Sequence, residues 1–256
     1  MKENKARVIA FYLPQYHPIP ENDKYWGKGF TEWTNVAKAK PLFRGHYQPH
    51  IPADLGFYDL RLPEVREAQA ELARDAGIEG FCYYHYWFGN GKMLLQKPFE
   101  EVLRLGKPDF PFCLCWANHD WTTKTWVKGS SMVNNTMIAQ QEYLGEQDDI
   151  KHFEYCLRAF KDHRYITIEG KPIFLIYDPL SFPNVKEFMN RWNFLAKKNN
   201  LKGIYFIGVT TGRQSSYKIV TNLGFDGVCH NRRWEAEAKA AGFRFVRRMQ
   251  SLLGWH

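Results

Sequence analysis

The sequence predicts an α/β fold of the (β/α)8 TIM-barrel type, with about six of the eight strands present. Three observations carry this expectation. Short, nearly continuous apolar runs recur along the chain, helical patterns separate them, and each run ends in polar and aromatic residues capable of chemistry. Runs of that kind are what strands buried on both faces look like, and their alternation with helices builds a parallel sheet.

The first run, Arg7 to Leu13, ends in Pro14, Gln15, Tyr16 and His17. Pro63 then opens a helix over Glu64 to Ala76, with Val65, Ala68, Leu72 and Ala76 on one side and Gly77 as its stop. The second run, Gly80 to Tyr84, ends in His85, Tyr86 and Trp87 and is followed by a helical pattern over Lys97 to Leu105. The third, Phe110 to Trp116, ends in the string Ala117 to Trp121, and a helix over Asp148 to Phe160 follows. The fourth, Pro172 to Tyr177, ends in Asp178 and Pro179 and leads to a helix over Val185 to Asn199. The fifth is Gly203 to Val209 and the sixth Phe225 to Cys229, which ends in His230 and Asn231.

The 27 residues after Cys229 show a helical pattern at Trp234, Ala238, Phe243, Val246, Met249 and Leu253. That leaves the predicted barrel about two strands short. No linker or change of composition divides residues 1–256, so a single barrel domain, incomplete at its C-terminus, is expected. An open, nucleotide-binding sheet is disfavoured because no G-x-G-x-x-G or P-loop string follows the first run.

Hydrophobic residues make up 45% of the chain and charged residues 24%, which is ordinary for a globular protein. The aromatic share of 16% is high, and aromatic faces at strand ends suit the apolar faces of sugar rings. The net charge of +8 is spread among acidic residues rather than clustered; even the densest run, around Arg232, Arg233, Arg244, Arg247 and Arg248, contains Glu235 and Glu237. No nucleic-acid partner is therefore expected, although an anionic sugar-nucleotide, lipid-linked glycan or membrane surface would suit the charge. The five cysteines lack framework spacing and read as small buried hydrophobes in a reducing compartment. The N-terminus has no apolar signal core and no stretch is long enough to span a membrane, so a cytoplasmic protein is expected, at most peripheral to a membrane.

Several strings are distinctive: Phe11 to His17, Trp26 to Thr34, Gly45 to His50 leading to Pro52 to Gly56, Gly80 to Phe88, and Cys115 to Trp121. In this order they closely resemble the WbsX-type proteins of bacterial polysaccharide loci, over about residues 6–231. Those proteins are glycosyltransferases by name, with a domain similar to glycoside hydrolase family 99, the endo-α-mannosidases. The resemblance implies a (β/α)8 barrel with a sugar site at the C-terminal mouth and a role in assembling a cell-surface polysaccharide such as lipopolysaccharide or capsule. It also implies a pair of catalytic glutamates in an Asn-Glu-Trp-x-Glu segment, which this chain does not contain. Where relatives often carry an acid after Trp-Ala-Asn, this chain has His119 followed by Asp120.

Glycoside cleavage usually needs two carboxyl groups flanking the bond. The candidates are Glu32, in what reads as a long loop, and Asp120 and Asp178 at strand ends. For binding the glycan, the candidates are His17, His85, His119 and His230, the walls Tyr16, Trp33, Tyr84, Trp87, Trp116 and Trp121, and Asn118. Of these, His17, His85, Trp116, Asn118 and His230 are expected to line one pocket together with Asp178, because parallel strands present their C-terminal ends to one side. Each also has a structural reading: a lone histidine or tryptophan at a strand end commonly packs under a loop, and Asp178 before Pro179 suits a turn. No metal or cofactor is expected, no Cys-x-x-Cys pair being present, and no Gly-x-Ser-x-Gly elbow marks a serine nucleophile. The alternatives are a barrel that binds sugar without turnover and, more remotely, a metal-dependent hydrolase. A six-stranded arc would also leave two open edges, so an oligomer or a partner chain completing the barrel is expected.

Overall fold

A computed structural model describes residues 6–123, 136–210 and 215–231. The elements run β1 (Ile9–Tyr12), α1 (Pro20–Trp26), α2 (Glu32–Lys38), α3 (Pro63–Asp75), β2 (Gly80–His85), α4 (Lys97–Leu105), β3 (Phe112–Trp116), β4 (Trp121–Thr122), β5 (Met137–Ala139) and α5 (Glu146–Phe160). They continue with β6 (Thr167–Ile168), β7 (Lys171–Ile176), α6 (Val185–Lys198), β8 (Tyr205–Thr210), α7 (Ser215–Asn222) and β9 (Gly227–His230). The six apolar runs become six parallel strands in the order β1-β2-β3-β7-β8-β9, curled as part of a barrel. Strand order follows chain order because the helical crossovers return the chain to the same end of the sheet each time.

Two small antiparallel additions decorate this frame: β6 pairs with the start of β7, and β4 with β5. Two short helices also differ from the sequence expectation, and Glu32 is the first residue of α2 rather than part of a long loop. At seven residues α1 and α2 are too short to show an apolar period; Pro20 starts one and Thr31 caps the other. Helix α5 begins two residues earlier than expected, at Glu146, where Gly145 takes φ 80° and three acids occupy the first turn. The expected C-terminal helix and the Arg232 to Arg248 run lie outside the described residues.

Side chains alternate across the sheet, as strand geometry requires. One set faces the helices: Tyr83, Phe112, Phe174 and Phe206 are buried against α3 to α6. At the centre of this layer Trp192 of α6 is fully buried, 4.7 Å from the Phe174 ring, and its Nε1 donates to the Asp149 carbonyl at 2.9 Å. Truncating such a residue to alanine costs about 3–5 kcal/mol. The other set faces the barrel interior, where register pairs Phe11 with Cys82, Tyr84 with Cys115, Cys115 with Leu175 and Val209 with Cys229. Four cysteines are buried as expected, whereas Cys229, on the edge strand β9, is only partly buried. The edge strands β1 and β9 are the least covered of the six, and Phe11 is 45% exposed.

Candidate functional site

The alternation of side chains divides the predicted site residues into groups. The C-terminal ends of β1, β2 and β7 carry an aromatic row on the interior face: Phe11 stacks on Tyr84 at 5.4 Å, Tyr84 meets Tyr177 at 5.9 Å, and Tyr177 meets His119 at 5.4 Å. Two residues past Tyr84, on the same side, the Tyr86 hydroxyl accepts a hydrogen bond from Gln15 Nε2 at 2.7 Å. Trp121 lies against Tyr86 at 5.9 Å, in a small second apolar cluster over the mouth.

Glu32 enters this neighbourhood from α2. One of its carboxyl oxygens, Oε2, is buried without a hydrogen-bond partner, and burial raises its pKa to about 7. Its charge acts on Tyr16, Tyr58 and Tyr86, all of which burial pushes upward in the first place. Tyr86 also feels Tyr177, so it links the Glu32 side of the mouth to the aromatic row. Trp33, next to Glu32, braces the loop after β1: its ring meets Tyr16 at 4.7 Å and its Nε1 donates to the Tyr58 carbonyl at 2.9 Å.

The other two carboxylates have backbone partners. Exposed Asp120 accepts the Gln141 amide at 2.7 Å, tying the loop after β3 to the segment after β5. Asp178 accepts the Ser181 amide at 3.2 Å, in the turn its neighbour Pro179 suggests. Asn118 is buried and satisfied as a clamp: its Nδ2 donates to the Asp178 carbonyl at 2.8 Å, its Oδ1 accepts the Asp178 amide at 2.7 Å, and its Nδ2 reaches the Tyr143 hydroxyl at 2.9 Å.

The expected single pocket is not formed. His85 and Trp116 point away from the interior, into the layer under α5 and α6, because they share the parity of Tyr83 and Phe112 rather than that of Tyr84. There Trp116 packs against Phe182 and Phe188, and Trp87 stacks on His152 at 4.7 Å while its Nε1 donates to Asp148 Oδ2 at 3.1 Å. His230 turns to α7, with Tyr217 at 5.1 Å and Thr210 Oγ1 at 3.2 Å. His17 is buried in the wall of a separate cavity, with Arg61 and Lys97. The residues missed by sequence reasoning are Phe11, Gln15, Tyr86, Tyr177 and His152. Phe11, Tyr86 and Tyr177 follow from counting by two along or just past a strand, but Gln15 lies in the turn after β1 and His152 lies mid-helix, and neither gives such a signal.

Among the described residues one group could hold a metal ion: His85, His152 and Cys156, with ligand atoms within 4.8 Å of one another. The two Nε2 atoms are 2.8 Å apart, the length of a hydrogen bond. Two nitrogens on one tetrahedral zinc stand roughly 3.3 Å apart, so the geometry is that of a hydrogen-bonded pair of neutral imidazoles. His46 and His50 have a four-residue spacing, but Pro49 lies between them and each ring packs on its own aromatic, Phe43 and Tyr47 respectively.

Sequential parallel strands with helical crossovers, and polar and aromatic groups at one rim, define a protein of the (β/α)-barrel class. The chain belongs to the glycosyltransferase WbsX family, which it matches over residues 8–252. It is 42% identical over 223 residues to the uncharacterized protein WxcX of Xanthomonas campestris pv. campestris strain B100 and to its counterpart in strain ATCC 33913. That match covers 87% of this chain but 31% of each relative, so the chain spans about a third of their length. Among solved structures it is similar to the GH99 endo-alpha-mannosidase from Bacteroides thetaiotaomicron in complex with Bis-Tris-propane, at TM-score 0.51 and 17% identity, covering 87% of this chain and 57% of that one. At that identity the likeness is one of fold. No helix among the described residues is long and apolar enough to cross a membrane.

Proposed function

We propose that this chain recognises a glycan at the C-terminal mouth of its sheet and takes part in glycosyl chemistry during cell-surface polysaccharide assembly. The observation that carries this reading is the Phe11–Tyr84–Tyr177 row, linked through Tyr86 to Glu32, whose carboxyl has a buried, unpartnered oxygen and titrates at about 7. Aromatic faces bind the C–H faces of sugars, and a carboxyl poised near neutrality serves as a general acid or base. Glu32 is thus the proton-transferring group, and Tyr84 and Tyr177 are the binding wall. Membership of a family named for glycosyl transfer supports the same reading, as does similarity in fold to an enzyme named for mannoside cleavage. The buried free cysteines fit a reducing, cytoplasmic setting, and the sparse cover of the edge strands β1 and β9 among the described residues fits pairing with a further segment or chain.

One observation favours a second reading, recognition without turnover by this chain alone. Glycoside cleavage uses two carboxyl groups, whereas Asp120 and Asp178 are each engaged with a backbone amide. The test is to titrate the chain with mannose-containing and bacterial oligosaccharides by calorimetry, then assay the same mixtures for transfer or hydrolysis. Binding with turnover that Glu32→Gln removes supports the first reading, and binding alone supports the second. No binding to any glycan refutes both.

A further inference from the structure

One residue beyond Tyr16, a cavity of about 350 Å³ opens between the loop after β1, the start of α1 and the N-terminus of α4. Its wall includes His17, which is 1% exposed and whose Nδ1 has no hydrogen-bond partner. Unpartnered polar atoms this deeply buried are rare, because an unmade hydrogen bond costs about 1–3 kcal/mol. The opposite wall is the N-terminus of α4, a nine-residue helix whose N-cap Gln96 makes no side-chain capping bond. The first amides of a helix lack intrahelical acceptors and carry the positive end of its dipole. Pro98 has no N–H, which leaves the amides of Lys97 and Phe99 at this end. Just before them, Leu95 takes a left-handed φ of 61° and Gln96 a right-handed helical one, a pairing that turns successive N–H groups towards one concavity.

The charges around His17 complete the picture. Arg61 and Lys97 line the cavity as cations. Arg61 also holds Asp59 through Nε at 3.0 Å and Nη2 at 2.6 Å, and Glu21 lies on the α1 side. Burial lowers the His17 pKa to about 4; Arg61 and Lys97 push the same way, while Asp59 and a backbone bond to Pro14 oppose them. With Arg61 already paired to Asp59, the groups left for an anion to engage are Lys97, the helix N-terminus and the neutral imidazole.

We propose that this cavity binds a phosphate or diphosphate group, held by the α4 amides, Lys97 and Arg61, with one proton shared between His17 Nδ1 and a phosphate oxygen. That proton sits on the imidazole or on the phosphate; binding takes it from solution when the ligand arrives fully deprotonated, and a ligand already protonated brings its own. Two sources offer this chemistry: the diphosphate of a soluble nucleotide and the headgroup of a membrane lipid. The proposal does not rest on glycan recognition, since the anion is measured without sugar.

The test is to titrate the full chain with inorganic phosphate and with pyrophosphate, following the His17 ring resonances by NMR and the heat in buffers of different ionisation enthalpy. We expect a saturable His17 shift, proton uptake when the ligand arrives fully deprotonated, affinity that falls as pH rises, and a loss of about tenfold in Lys97→Ala that Lys97→Arg largely restores. Parallel arms use ADP and phosphatidic acid vesicles. Competition by ADP assigns the phosphate to a soluble nucleotide, and co-sedimentation with vesicles assigns it to a lipid. No His17 shift with either anion, or an equal shift in Lys97→Ala and Arg61→Gln, would overturn the proposal.

Discussion

His85 and His152 share a hydrogen bond, Nε2 to Nε2 at 2.8 Å, in the dry layer between β2 and α5. One imidazole must donate and the other accept, so at least one Nε2 must stay unprotonated, and burial keeps both rings neutral. Burial holds His85 down at about 3, and burial together with His85 holds His152 well below its usual range.

This pair makes the fold acid-sensitive. Unfolded histidines titrate near 6.5, so from about pH 6.5 down to about 3 the unfolded chain binds more protons and stability falls with pH. At about pH 5 each such histidine is expected to cost the fold roughly 2 kcal/mol relative to neutral pH. Urea unfolding across that range should show the loss, and a His85→Phe, His152→Phe double variant should show much less of it. Part of the slope should persist, because His17 is shifted in the same direction. An unchanged slope would remove the pair as its source.

Asn118 joins the loops after β3 and β7 through both of its side-chain atoms. Asn118→Ala would leave the Asp178 amide and carbonyl unpaired, and a loss of about 1–3 kcal/mol is expected, read as a lower urea midpoint. Because the same loops carry His119 and Tyr177, glycan affinity should fall as well.

Tyr84→Ala and Tyr177→Ala are expected to weaken glycan binding by about 1–3 kcal/mol with modest changes in stability. Trp116→Ala should behave in the opposite way. Its side chain fills the layer against Phe182 and Phe188, so the fold should lose about 3–5 kcal/mol. Any folded Trp116→Ala protein should keep its intrinsic glycan affinity. Calorimetry alongside thermal unfolding separates the two kinds of effect, and the reverse pattern would transfer the binding wall to the helix side of the sheet.

Glu32 carries a pH signature of its own. Its carboxyl titrates at about 7 in the fold, against 4.5 for the ordinary group. The folded chain therefore binds the extra proton between those values, and stability declines as pH rises through them. Glu32→Gln should make the protein more stable above neutral pH, by about 1–3 kcal/mol, and equally stable in acid. If Glu32 acts as a general acid, the wild-type rate should fall as pH rises past about 7. A variant no more stable than wild type at alkaline pH would show that the carboxyl is better solvated than its burial suggests.

The parallel strands were legible in the sequence because strands buried on both faces, as β2, β3 and β7 are, need an uninterrupted apolar run, and the less covered edge strands β1 and β9 carry such runs too. The long helices were legible for a related reason: α4 and α6 bury one side only, so their apolar residues recur with the helical period. The short α2 has no such period, and Glu32 therefore read as a loop residue. Local pattern also shows which strand ends carry histidine, tyrosine and tryptophan, but not which side of the sheet each side chain takes. That depends on register across the sheet: Tyr84 and His85 are adjacent in sequence, yet one meets Phe11 and Tyr177 inside the barrel and the other meets His152 beneath α5. A shift of one residue exchanges the two sides, and packing against the helices decides between them. The burial of Glu32, the His85–His152 bond and the cavity at His17 all join residues far apart in the chain, so only the tertiary structure decided them.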